Sequence, residues 1–168
     1  KDKEYIAGLR LGITTDTEDI TGSILTETQT IPAREAVLTT ANSFVGEIMQ
    51  VPPMYSALKV GGEKLVDLAR RGITIEREAR PITIHALDID GDGADYKMRV
   101  FCSKGTYIRT LCADIGAKLG CGGAMSSLIR TKTGGFTLEN AYTLEALEAM
   151  TPEERASLLL PTETLFTH

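Results

Sequence analysis

The run Asp90-Gly91-Asp92-Gly93-Ala94-Asp95-Tyr96-Lys97-Met98-Arg99-Val100-Phe101-Cys102-Ser103-Lys104-Gly105-Thr106-Tyr107-Ile108-Arg109 decides how the chain is organised. Its Asp-Gly pairs are turn-formers, and the residues on either side, Pro81–Asp90 and Tyr96–Ser103, alternate like strands. A β-hairpin follows from this. Gly105 then permits a sharp bend, Thr106 is a candidate cap, and the apolar spacing predicts a helix from about Tyr107 to Leu119, ended by Gly120. A strand that runs through a glycine turn into a helix start presents free N–H groups, which favour an anion such as a phosphate or carboxylate. Lys104 stands beside them. Arg109 falls in the first turn, where a cation gains nothing from the helix dipole, so its position suggests a carboxylate or phosphate partner, the alternative being a solvated arginine.

Upstream, Glu4–Ile13 reads as a strand through Ile6, Leu9, Leu11 and Ile13, and Thr14–Gly22 as a loop rich in Thr, Asp and Gly. Ser23–Ile31 reads as a second strand, and Pro32 opens a helix over about Ala33–Ser43. Gly46–Ala57, with Pro52-Pro53, is extended and irregular. Glu63–Arg71 is a short amphipathic helix stopped by Gly72, and Ile73–Arg77 alternates like a strand. Downstream, Met125–Thr133 returns as a strand. Leu144–Met150 and Pro152–Leu158 are two short helices with Thr143 and Thr151 as caps. Strands and helices mix without a βαβ repeat, so the fold class is α+β with a mostly antiparallel sheet.

With 168 residues the chain has the length of one domain, or of one and a small fragment. Its 18 Lys and Arg against 23 Asp and Glu give a net charge of −5, which excludes a uniformly basic coat for nucleic acid. The charge is unevenly spread, however. Residues 59–81 carry 6 positive and 4 negative charges, and residues 97–133 carry 7 and 1. A local basic face is therefore available to phosphate. Apolar residues at 42% and a mean hydropathy near zero are enough to bury a core of Ile, Leu, Val and Ala. No apolar run approaches the ~18 residues of a membrane span. Cys102, Cys112 and Cys121 are odd in number and too far apart for a Cys-x-x-Cys motif, so they read as buried thiols of a cytoplasmic protein. The chain begins at Lys1 and runs at once into patterned sequence, which reads as a segment excised from something longer.

Other constellations carry less. Thr15-Asp16-Thr17-Glu18-Asp19 lacks the spacing and closing glutamate of a calcium loop, and Asp16 and Asp19 are expected to bond their own backbone. Gly120-Cys121-Gly122-Gly123 has no following Lys-Ser/Thr and is not a phosphate loop. His85 and His168 have no evident Ser or Cys partner.

Five blocks in order resemble the bacterial tRNA pseudouridine synthase B family: Tyr5–Gly12 with Thr15–Gly22, Phe44–Gly62, Ser103–Leu111, Leu119–Gly122 and Leu128–Thr131, followed by a closing Leu159-Leu160-Pro161. The resemblance implies a pseudouridine synthase-like sheet with flanking helices. It also implies an enzyme that flips a uridine out of the T arm of tRNA and isomerises it without cofactor or metal. By the same resemblance, Tyr5 stacks on the uracil and helps proton transfer, Arg109 pairs with the catalytic aspartate, Tyr107 contacts substrate and Leu128 packs against the base. Residues 50–80 correspond to an RNA-gripping insert, where Lys59, Lys64, Arg70 and Arg71, with Lys104 outside it, are candidate phosphate contacts.

One family block is missing. The nucleophile's Gly-x-Leu-Asp-Pro-x-Ala-Thr-Gly sequence occurs nowhere between Lys1 and His168, and no aspartate of the chain stands in a matching context. Residues 1–168 are thus expected to be a single partial catalytic domain, inactive alone, without the nucleophile segment or the C-terminal RNA-binding extension. The complete enzyme is expected to be monomeric, and this piece to self-associate through exposed edges. The alternative is an RNA-binding or RNA-folding module without chemistry.

Overall fold

The structure, a computed structural model, describes residues 2–131. The two helices expected after residue 143 lie outside the described residues. Five strands form one antiparallel sheet: β1 (Lys3–Leu11), β4 (Gly46–Gln50), β7 (Arg80–Asp92), β8 (Asp95–Cys102) and β9 (Gly123–Arg130), in the order β4-β7-β8-β1-β9. The hairpin is β7–β8. Its register runs in to Asp92↔Asp95, so the strand continues through the Asp-Gly pair at 90–91 and the turn falls at Gly93-Ala94. Alternation sets the faces: Tyr96, Met98, Val100 and Cys102 of β8 point the same way as Ala7, Leu9 and Leu11 of β1, and all are buried. Against that face lie α1 (Arg34–Asn42), through Val37 and Ala41, and α3 (Ile108–Leu119), through Ile108, Leu111, Cys112 and Ile115. These side chains form one core, and each contributes roughly 1.5–3 kcal/mol where a Val, Leu, Ile or Met is fully buried.

Helix α3 lies unusually close to β9. A Cβ on Gly116 would overlap the backbone of Gly122 and Gly123, so only glycine fits there. Gly120 closes the helix in the left-handed conformation (φ 88°), with its N–H donating to the carbonyls of Gly116 and Ala117. The three cysteines are free and buried.

The sequence reading needs three corrections. The strand expected over Ser23–Ile31 contracts to β3 (Ile24–Glu27), exposed along its length, which pairs with β2 (Ile13–Thr15) in a small ribbon outside the main sheet. Residues 73–77 join no ladder: the alternation marks extended chain, but no strand edge is offered to it, and Arg77 turns inward to donate to the Pro52 carbonyl (3.0 Å). The irregular stretch from Gly46 begins with a regular strand, β4, on β7. Between residues 51 and 79 the chain leaves the sheet as a two-rung ladder, β5 (Lys59–Val60) with β6 (Glu63–Lys64), and a short helix, α2 (Leu65–Arg70). No helix among the described residues is long and apolar enough to cross a membrane.

Candidate active site

The start of α3 is built differently from its sequence signal. Thr106 does not cap it; its hydroxyl donates to the Ser103 carbonyl (2.8 Å) and closes the preceding turn. Tyr107 is the cap residue, extended and without a side-chain cap. Its backbone is instead satisfied by Gln50, the last residue of β4 and only 2% exposed. The Gln50 amide nitrogen donates to the Tyr107 carbonyl and the amide oxygen accepts from the Tyr107 N–H, both at 3.0 Å. A buried amide needs such partners, and this one uses them to fix where the helix begins.

Arg109, in the first turn of α3, is half-buried. Nη1 donates to the carbonyl of Thr17 (3.2 Å) and Nη2 to that of Tyr55 (2.6 Å), so the guanidinium ties the 15–22 loop to the root of the 51–79 excursion. The partners it was expected to need are thus met first by backbone oxygens. Two carboxylates also lie in its field. Burial pushes Asp19 up, but hydrogen bonds from the Thr21 hydroxyl (2.6 Å), the Thr17 hydroxyl (2.9 Å) and the Thr21 N–H (3.0 Å), with the charge of Arg109, leave it below the ordinary carboxylate value. Glu18 is held above its ordinary value by burial, against the Thr110 hydroxyl (2.7 Å), Arg109 and Arg77. Asp114, a turn beyond Thr110, is pushed up to about 6 by burial and by Glu18. The self-bonding expected of Asp16 and Asp19 is present: Asp16 accepts from the Ser23 N–H and Asp19 from that of Thr21.

Tyr5 and Leu128 sit on adjacent strands. The register pairs Tyr5 with Arg130 and Ala7 with Leu128, which makes Tyr5 and Leu128 diagonal neighbours on the face that α3 covers. Both are partly buried and pack on the core. Burial raises the Tyr5 phenol, so it stays protonated at neutral pH. The structure therefore gathers Tyr5, Leu128, Tyr107 and Arg109 on one side of the sheet. The candidate phosphate contacts lie apart from these, on the surface. Lys59 and Lys64 face each other across the β5–β6 ladder, Arg70 and Arg71 pair with Asp67 (3.8 Å) and Glu63 (2.8 Å), and Lys104 is exposed in the turn before α3. Among the described residues no three His, Cys, Asp or Glu side chains are placed to hold a metal ion.

Gln50 and Glu18 were not singled out from sequence. Gln50 could have been noticed as a polar residue ending an alternating strand just before Pro52-Pro53. Glu18 has no such sign, because nothing in the sequence announces that a glutamate will adopt φ +69°, the only positive φ outside glycine among the described residues.

The sheet order, the helix across one face and the arginine at its start define a pseudouridine synthase fold. The chain is similar to a chain in the solved "Cbf5-Nop10-Gar1 Complex", with 29% identity and a TM-score of 0.56 over 87% of this chain and 35% of that one. A second solved structure, "H/ACA RNP bound to a substrate RNA containing 2'-deoxyuridine", shares the fold at 23% identity and a TM-score of 0.51, covering 92% of this chain and 38% of that one. Residues 1–108 match the family model "TruB family pseudouridylate synthase (N terminal domain)", and residues 109–167 match "tRNA pseudouridylate synthase B C-terminal domain". The chain belongs to the TruB family of pseudouridylate synthases, which are isomerases. The boundary between the two matches falls inside the first turn of α3, while α3 and β9 complete the same core and sheet as β1.

Among curated relatives, the "tRNA pseudouridine synthase B" of Azoarcus sp. (strain BH72) is 51% identical over 168 residues, 99% of this chain and 56% of that protein. The protein of the same name from Cupriavidus metallidurans is 50% identical over 167 residues, 98% of this chain and 53% of its own length. The chain thus spans about half the length of the curated relatives it matches.

Proposed function

We propose that this chain supplies most of the uridine site of a cytoplasmic enzyme that isomerises a uridine in the T arm of tRNA to pseudouridine. The observation that carries the reading is the convergence of Tyr5 and Leu128 on the sheet face below α3, with Arg109 anchored at the helix start. A target base stacked in folded RNA must be flipped out to be reached. Leu128 then offers an apolar floor and Tyr5 an aromatic wall. A catalytic aspartate, on the nucleophile block outside residues 1–168, initiates cleavage of the bond between the sugar and N1 of uracil. The base turns and rejoins the sugar through C5, the proton displaced from C5 leaves with the help of the Tyr5 hydroxyl, and N1, freed from the sugar, takes up a proton in its place. No atom is gained or lost and no cofactor is needed. Arg109 holds the aspartate ionised and in register as a fixed, pre-positioned charge. Tyr107 contacts the substrate. Lys59, Lys64, Arg70, Arg71 and Lys104 meet phosphates, where RNA competes with Asp67 and Glu63 for the two arginines.

The test uses the complete protein, including the nucleophile block, with tRNA transcript and pseudouridine as the readout. Arg109→Ala is expected to lower kcat by about a thousandfold, and Tyr5→Phe by about a hundredfold. If the complete protein binds tRNA and leaves every uridine unchanged, the reading fails and the chain belongs to an RNA-binding module.

A further inference from the structure

The 15–22 loop contains the one non-glycine residue with a positive φ among the described residues. Glu18 stands at φ +69°, a region that non-glycine residues occupy only where their surroundings over-determine it. Here the surroundings do so from three sides. The Glu18 carboxylate accepts from the Thr110 hydroxyl on α3 (2.7 Å). Its carbonyl accepts from the Met125 N–H on β9 (2.9 Å), and its N–H donates back to the Thr15 carbonyl (3.3 Å). The peptide unit joining Thr17 to Glu18 carries the carbonyl to which Arg109 Nη1 donates (3.2 Å). The φ of Glu18 is the torsion that orients this peptide plane, so the left-handed turn aims the Thr17 carbonyl at the guanidinium. The side chain that fixes the turn bonds the residue next to that arginine.

We propose that Glu18 is a positioning residue for Arg109: seated on the Thr110 hydroxyl, it holds the Thr17 carbonyl where it fixes the Arg109 guanidinium at the start of α3. This rests on the reading of Arg109 as the arginine of the isomerase site. The role belongs to the seat and not to any contact of Glu18 with substrate.

Three substitutions separate positioning from mere support of the fold. Glu18→Gly removes the seat but makes the left-handed turn free of strain, so stability is retained. Thr110→Val removes the seat from the other side, and Glu18→Gln keeps it. In the complete enzyme, Glu18→Gly and Thr110→Val are expected to lower kcat by about ten- to a hundredfold with KM for tRNA unchanged. Glu18→Gln should retain most of kcat. Independently of activity, nitrogen-detected NMR of the 168-residue chain should show hindered Arg109 Nη protons in the wild type and Glu18→Gln, and averaged ones in Glu18→Gly and Thr110→Val. Unchanged kcat and Arg109 signals in Glu18→Gly would overturn the proposal. So would a loss in Glu18→Gln as large as in Glu18→Gly, since charge and not the seat would then be acting. If the wild-type enzyme proves inactive on tRNA, the isomerase reading fails, while the Arg109 signals still decide whether Glu18 positions it.

Discussion

Two parts of this molecule obey different rules. The sheet with α3 is fixed by close approach: backbone meets backbone at Gly116, Gly122 and Gly123, and Gln50 and Arg109 bond main-chain groups 57 and 54 residues away in sequence. The excursion over residues 51–79 buries Leu65 and Leu68 and turns Arg77 inward, yet its other basic side chains lie on the surface, in exposed pairs or facing a like charge. A frame that must hold reacting groups in register needs the first kind of construction. A surface that must meet a polyanion needs the second, because exposed pairs are worth little and are readily exchanged for phosphate.

The contrast can be broken most severely in the frame. Gly116→Ala is expected to destabilise the chain by about 3 kcal/mol or more in urea unfolding, since a methyl there displaces the backbone of β9. A loss below about 1 kcal/mol would mean that the approach is loose. Gln50→Leu leaves the Tyr107 N–H without a partner and its carbonyl with the Leu111 N–H alone, with an expected loss of about 2 kcal/mol. Asp114 sharpens the picture through pH. Its folded pKa of about 6 lies above the ordinary 3.8, so the folded chain keeps this proton to higher pH than the unfolded one. The group therefore favours folding least above pH 6, and its contribution falls as pH rises from about 4 to about 6. Asp114→Asn should remove that fall and add about 1 kcal/mol at pH 7, a figure reduced for its partial contact with solvent. A pH profile unchanged by the substitution would contradict the burial argument.

The excursion should behave in the opposite way. Lys59→Ala and Lys64→Ala are each expected to change stability by less than about 0.5 kcal/mol. Each should flatten the salt dependence of tRNA binding by a slope of about 1. Stability losses as large as those in the frame, with an unchanged salt slope, would erase the distinction between the two regions.

Much of the frame was legible in sequence. The Asp-Gly turn, the alternation of Tyr96–Cys102 and the glycine that ends α3 are local signals, and each produced its element. The pattern at 73–77 misled because alternation reports an extended chain and not whether a neighbouring edge exists to pair with it. The site was legible only in part. Arg109 could be suspected from its place against the helix dipole, but its actual partners are carbonyls of Thr17 and Tyr55, which side-chain identity cannot reveal. Gln50 bonds backbone groups 57 residues away and Glu18 a hydroxyl 92 residues away, contacts that only the folded register creates.

The most direct test of the account compares the 168-residue chain with the complete protein on the same tRNA transcript, scoring pseudouridine in the T arm. The account expects turnover by the complete protein and none by the chain alone, whose fold holds Tyr5, Leu128 and Arg109 in place without the nucleophile. Pseudouridine formed by the chain alone would contradict it.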